Sequence, residues 1–409
     1  MTDAPSDAGA ASRSMAVAMF LAFAFAYLFS ALLRAVTATL APAFSAELGL
    51  SSADLGLLAG AYFLGFSAMQ LPLGRWLDTF GPRRVLLAFL AVAVLACGAF
   101  ALATSFVGLW LARALIGVGV SACLMAPMTA YRRRLGPQAQ LRANSWMLMT
   151  GSLGMLASTL PVQWLMPVVG WRGLFWGVGA ALMLAMLLIA VQVPRDAPPS
   201  TAAPQERGGY AEIFRHPYFL RLTPLAFVVY GGLLAVQSLW AGPWLTVVAG
   251  QSSREAAQGL FLINLSMLCA FFAWGAVMPR LTQRGWKVDR LITLGVPLSL
   301  VILAAAVALG PRAQSAHWAA WCVSCTFVSL SQPAVGQAFP PAQAGRALSA
   351  FNLVIFLGVF CTQWGIGLAI DALAAAGLSR PDAMRAALGL FGLASAGAYL
   401  WFVMRRADP

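Results

Sequence analysis

Two arginines stand where arginines are expensive. Arg34, in YLFSALLRAVTATLAP, and Arg113, in LARALIGVG, each interrupt a stretch that is otherwise apolar. A guanidinium stays charged when buried and presents a planar pair of donors, so its chemistry is recognition of a carboxylate or phosphate. The acids are placed the opposite way. Asp3, Asp7, Glu47, Asp54, Asp78, Asp196, Glu206, Glu212, Glu255, Asp289, Asp371, Asp382 and Asp408 all fall in tails, loops or the ends of apolar stretches. No carboxylate is central in one, which disfavours a pocket for organic cations and a simple carboxylate proton relay.

Other chemistries find little to work with. The two histidines, His216 and His317, are far apart in sequence. All six cysteines lie in apolar segments, and the Cys322-x-x-Cys325 pair reads as small packing residues, not as a redox or zinc motif. No nucleophile–base pair, metal cluster or phosphate loop is present, so an enzyme is not expected, nor any metal or cofactor. The net charge of +13 would suit nucleic acid in a soluble protein, but here the basic residues cluster in short segments between apolar ones.

The elements that must position Arg34 and Arg113 follow from composition. The chain has 409 residues, 61% hydrophobic and 10% charged, too little polar surface for a water-facing globule. Twelve apolar segments can be read, at about 15–41, 53–74, 84–104, 106–131, 143–166, 171–193, 220–248, 255–279, 288–310, 317–339, 344–373 and 382–404. Their lengths suit tilted membrane-spanning helices, the default in lipid because every backbone polar group is satisfied within the segment. With the N-terminus inside, 19 of the 26 basic residues fall on the cytoplasmic side, five on the other (Arg172, Arg254, Arg312, Arg380, Arg385), and two, Arg34 and Arg113, within the membrane. That bias sets the expected orientation, with both termini cytoplasmic.

A polar, Pro- and Gly-rich stretch, VPRDAPPSTAAPQERGGYAEIFRHP, divides the segments six and six. RANSWMLMTGSLG, from Arg142, and RALSAFNLVIFLG, from Arg346, share Arg, Ala, Ser and Gly at identical spacing and enter segments five and eleven. Two repeated six-helix halves are a common transporter plan, with the site between them. The expected organisation is a disordered N-terminus (1–14), a six-helix bundle (15–193), a cytoplasmic linker (194–219), a second six-helix bundle (220–404) and a short tail (405–409).

The stretch LPLGRWLDTFGPRRVLL, between segments two and three, carries Gly74, Asp78, Gly81, Arg83 and Arg84 in a spacing that resembles the signature loop of the major facilitator superfamily. RALIGVG (Arg113–Gly119) resembles a second motif of that family and GWRGLFW (Gly170–Trp176) its entry into helix six. The loop between segments eight and nine keeps Gly275, Arg280 and Arg284 but has Pro279 where the aspartate would fall. Segment five, GSLGMLASTLPVQWL, lacks the Gly-Pro-xx-Gly-Gly element of drug/proton antiporters.

The resemblance implies an all-α membrane protein of twelve helices in two pseudo-symmetric bundles. It implies that Asp78 latches the two halves in the outward-open state, and that helices one, four, seven and ten line the cavity. On those helices the substrate-binding candidates are Arg34, Arg113, Tyr230, Gln237 and Trp240, with Tyr27 and Gln332, and Asn264 and Asn352 of segments eight and eleven, as further polar or aromatic positions. Tyr230 and Gln237, seven apart, should share a helix face. Glycerol-phosphate and related organic-anion transporters have an arginine in a place similar to Arg34 and a second on helix seven. Here helix seven offers only Arg221 at its start, so a carboxylate is expected in preference to a phosphate ester. The expected protein is a monomeric inner-membrane secondary transporter of a small organic anion, with a coupling proton or counter-substrate as a possible partner and no nucleic acid. Efflux of an amphipathic compound and a transporter-like sensor are the alternatives.

Overall fold

The computed structural model describes residues 7–195 and 209–405. Most of the expected linker and the end of the tail fall outside them. The described chain is helical almost throughout, in the order the apolar segments require. Helix one is Asp7–Leu48, so it starts within the stretch expected to be disordered; its first turns, DAGAASR, are rich in alanine, the strongest helix former. Helix two runs as Ser52–Ala68 and Gln70–Phe80, bent by 45° between them. Helix three is Pro82–Leu102 and helix four Phe106–Arg134.

Helix five begins as Pro137–Ala157 and resumes at Leu160; the chain reverses at Gly170 (φ 63°, ψ 176°) into helix six, which ends at Gln192. A left-handed φ of this kind suits glycine. A short helix, Tyr210–Arg215, precedes helix seven, Pro217–Val248. Helices eight, nine and twelve are Ser253–Gln283, Val288–Leu309 and Arg380–Met404. Helix ten is split into Ser315–Ser329 and Ser331–Gln337, and helix eleven is Pro341–Ala375. Among the described residues nine helices are long and apolar enough to cross a membrane, or ten with the bent pair. Helix ten misses that test because of its break. The segment beginning at Pro137 misses it too, opening with the polar run PQAQLRANS.

Local signals explain the starts. Ser51 and Asp54 form a reciprocal capping box at helix two, Ser105 caps helix four, and Ser379 caps helix twelve. The arginines of the basic end also serve the helices. Arg83 donates to the Ala190 carbonyl (2.5 Å) and Arg134 to that of Pro194 (3.0 Å), satisfying acceptors at the end of helix six.

Packing separates the two ends of the molecule. One core cluster belongs almost wholly to the first half, with Phe23, Tyr62, Leu90, Ile116 and Leu182. A second holds the arginine-rich end of the second half, with Leu222, Ile292 and Phe351. The third, at the arginine-poor end, mixes the halves: Ala38, Ala41, Leu55 and Ala59 of the first pack with Trp240, Trp244, Ile366 and Ile370 of the second. Small residues permit this approach. A Cβ on Gly242 would stand 2.5 Å from the Ala38 carbonyl oxygen, and one on Gly56 would stand 2.3 Å from that of Gln363.

Candidate functional site

Arg34 sits just below that shared core, one helical turn from Ala38. Its guanidinium carbon is 5.6 Å from the Phe66 ring centre on helix two and 6.0 Å from that of Phe356 on helix eleven. Tyr27 and Tyr62, and Tyr230 of helix seven from the other half, lie within electrostatic reach of the guanidinium, and the Tyr62 hydroxyl donates to the Ser30 carbonyl at 3.3 Å. Arg34, Tyr230 and Phe356 are only half-buried, although they lie in the middle of the bundle. Arg34 forms no ion pair with a carboxylate among the described residues, and its Nε is buried without a hydrogen-bond partner. Arg34 is thus a cation among aromatic faces with no counter-charge from the described residues, and an anion is the chemical class that would supply one.

Arg113 is placed differently. It is 1% exposed, and its Nη2 donates to the Leu33 carbonyl (2.8 Å) and the Thr37 hydroxyl (2.6 Å) of helix one. Its guanidinium also lies over the Tyr62 ring at 5.2 Å. Arg113 therefore fastens the turn of helix one that carries Arg34, and both arginines share Tyr62.

The other candidates divide. Tyr230 is at the site. Gln237 is 4% exposed and donates to Asn264 Oδ1 (3.0 Å) inside the second half. Tyr230 and Gln237 do not act from one face because helix seven is not a regular α-helix: Leu225–Tyr230, Val236–Trp240 and Trp244–Val248 are π-helical. Wider turns rotate the register on which a spacing of seven depends. Trp240 is buried, and its indole N–H donates to the Gln363 carbonyl at 3.1 Å, tying helix seven to helix eleven. It also lines a cavity of about 350 Å³ at the arginine-poor mouth with Pro42, Ser45, Ser52 and Arg380. Gln332 and Asn352 bond to each other at 2.6 Å.

Sequence reasoning missed Tyr62, Phe66 and Phe356, which lie on helices two and eleven, outside the four helices taken to line the cavity. The Tyr62/Phe66 spacing of four, on one helix face, was the available signal. It also missed the use of Arg221, whose guanidinium pairs with Asp289 (2.5 Å) beside the Tyr218 hydroxyl, well away from Arg34.

The signature stretch is helical up to Phe80, so Asp78 is in a last helical turn and only Gly81 (φ 82°) makes the bend. A Cβ on Gly74 would meet nothing within 4 Å, so no close approach requires that glycine here. Asp78 faces Arg133 (3.6 Å) and Arg132 (4.0 Å), both in its own half. Arg84 is exposed. Near this end, Tyr210 donates to the Leu71 carbonyl at 3.3 Å, and burial pushes its hydroxyl above the ordinary tyrosine range.

Comparison with known proteins agrees with this architecture. A sequence profile described as Major Facilitator Superfamily matches residues 23–362. The 4-hydroxybenzoate transporter PcaK of Acinetobacter baylyi is 25% identical over 290 residues, 61% of this chain and 60% of that protein. The hexuronate transporter of Escherichia coli K12 is 29% identical over 167 residues, 40% of this chain and 39% of that one. The chain thus spans less than two thirds of the length of either relative. A bacterial homologue of the human lysosomal transporter Spinster, inward-facing and unoccupied, superposes with a TM-score of 0.75 at 20% identity, over 97% of this chain and 99% of that one. That likeness is one of fold.

Proposed function

The chain belongs to the major facilitator superfamily, and from that premise we propose that it is a secondary transporter moving a small organic anion, a carboxylate, across the inner membrane. The halves would alternate in exposing one central site to each side. The arginine-rich end is assigned to the cytoplasm because basic residues are retained there. On that assignment, the packing of the arginine-poor ends into one core would close this conformation to the outside.

The observation that carries the reading is Arg34: an intramembrane guanidinium at the junction of the halves, with no acidic partner among the described residues. A bound carboxylate would supply the missing charge and pair with it bidentately. Two relatives are named for carboxylate cargo, 4-hydroxybenzoate and hexuronate, which supports the same class.

The test is a thermal-shift screen of purified protein against carboxylates, phosphates, neutral amphiphiles and organic cations, followed by uptake into proteoliposomes. Carboxylates should stabilise the protein, and Arg34→Lys should weaken binding roughly 10- to 100-fold, because lysine loses the bidentate fork. Stabilisation by cations alone, or normal uptake by Arg34→Ala, would overturn the assignment. Transport of neutral amphiphiles that is indifferent to Arg34 would favour efflux instead.

A further inference from the structure

The walls around Arg34 say more about the anion than its charge. Phe66 and Phe356 meet across the halves with ring centres 4.6 Å apart at 60°, and Phe63 stacks on Phe356 at 6.2 Å and 16°. Tyr62 stacks on Phe66 at 6.1 Å and 20°. Tyr62, Phe63 and Phe66 are buried against one another at 0%, 1% and 7% exposure, and of the four rings Phe356 is the one left half-buried, with a rim that an inserted planar ring can meet by edge or face.

The polar complement is small. Beside Arg34 stand the Tyr27 and Tyr62 hydroxyls, with Tyr230 across from them. The amides on these helices already have partners, Gln237 with Asn264, Gln332 with Asn352 and Gln363 with Ser238, although Gln363 Oε1 is buried without one. A sugar acid entering here would bury several hydroxyls for which the walls hold too few partners, and unpaired buried hydroxyls are strongly penalised. A small inorganic anion would leave the rings untouched. A dianion would want a second cation within reach, and Arg113, 1% exposed, is held to Leu33 and Thr37 through its Nη2, with its Nε and Nη1 buried without a hydrogen-bond partner.

Building on the assignment of Arg34 as the anion-binding group, we propose that this site takes a monocarboxylate whose body is a planar aromatic ring. Arg34 holds the carboxylate. Phe66 and Phe356, one from each half, contact the ring, so that bound ligand bridges helices two and eleven. The Tyr27 and Tyr230 hydroxyls can accept from or donate to a polar substituent on the acid, whereas that of Tyr62 already donates to the Ser30 carbonyl (3.3 Å) and can only accept.

Isothermal titration of the purified full chain with benzoate, cyclohexanecarboxylate, glucuronate and nitrate tests this. Benzoate should bind about threefold to tenfold tighter than cyclohexanecarboxylate, the same carboxylate on a puckered ring. Glucuronate and nitrate should bind more weakly than either. Phe356→Leu should erase the benzoate preference and leave cyclohexanecarboxylate affinity nearly unchanged, with Phe66→Leu as the second variant should the first lose its fold. Equal affinity for the two ring acids, or preference for glucuronate or nitrate, overturns the aromatic assignment. If that binding still depends on Arg34, the organic-anion reading survives a glucuronate or ring-acid result. If no carboxylate binds, both fail.

Discussion

Asp371, near the end of helix eleven, accepts hydrogen bonds from the backbone N–H of Ala53 at 2.7 Å and of Ser52 at 3.1 Å, the first residues of helix two in the opposite half. A carboxylate from one bundle thus caps a helix N-terminus of the other, where both the free N–H groups and the helix dipole favour negative charge. Arg380 completes the contact, 3.5 Å from Asp371 and bonded to the Ser52 hydroxyl at 3.0 Å. Removing the carboxylate should cost the closed arginine-poor mouth about 0.5–2 kcal/mol, by analogy with lost helix caps. Spin labels at Ala46 and Val247, in a Cys269→Ser, Cys361→Ser background that removes the two thiols not buried, should move apart in Asp371→Ala and less so in Asp371→Asn. An unchanged distance distribution would show that the contact does not hold the mouth shut.

Arg113 should behave as a support for Arg34. Arg113→Leu leaves the Thr37 hydroxyl and the Leu33 carbonyl without their charged donor, and each lost buried hydrogen bond of this kind costs about 1–3 kcal/mol. The variant should melt several degrees lower, yet a carboxylate should still raise its melting temperature. In Arg34→Leu that ligand-induced rise should vanish with the basal melting temperature little changed. Loss of the rise in Arg113→Leu at ligand levels far above saturation would mean that Arg113 contacts the anion itself.

These two arginines also show how far the sequence reaches. Charge in an apolar run is legible from composition alone, so Arg34 and Arg113 could be singled out without a structure. Their different roles could not, because role depends on which way each guanidinium leaves its helix and what meets it. Arg113 is anchored through its Nη2 to a carbonyl and a hydroxyl 80 and 76 residues away, with its Nε and Nη1 left buried without partners. Helix count, order and the six-plus-six division were legible because bilayer thickness and backbone satisfaction impose them on every segment. Phe66 and Phe356 were not, since an aromatic on a membrane helix is equally at home against lipid, and only the crossing of helices two and eleven turns both inward. The π-helical turns of helix seven likewise left no mark that spacing rules could read.

Two glycines, one inside the signature stretch and one outside it, should respond oppositely to alanine. A Cβ on Gly117 would stand 1.9 Å from the Tyr62 carbonyl oxygen, behind the site, whereas one on Gly74 meets nothing within 4 Å. Gly117→Ala must push helix four off helix two, a strain of about 1–3 kcal/mol, and should lower the melting temperature and carboxylate affinity together. Gly74→Ala, mid-helix, should be neutral or stabilising by up to about 1 kcal/mol. A Gly74→Ala protein that melts normally but does not transport would place the need for glycine in the opposite, outward-open conformation.

That distinction bears most on Asp78. With the arginine-poor ends packed together, its partners are Arg133 and Arg132 of its own half, and its side chain is 68% exposed. A pair so open to solvent contributes about 0–1 kcal/mol, so Asp78→Asn should leave the melting temperature of this state nearly untouched. If the aspartate latches the halves when the cytoplasmic side closes, its removal weakens only the other state and shifts the balance towards the form described here. Transport should then fall severalfold while carboxylate affinity, measured at equilibrium in detergent, holds. Labels at Thr79 and Gln337, both exposed at the arginine-rich end, should report a larger share of the open-inward distance in Asp78→Asn than in wild type. Equal populations with normal transport would reduce Asp78 to a local partner of Arg133.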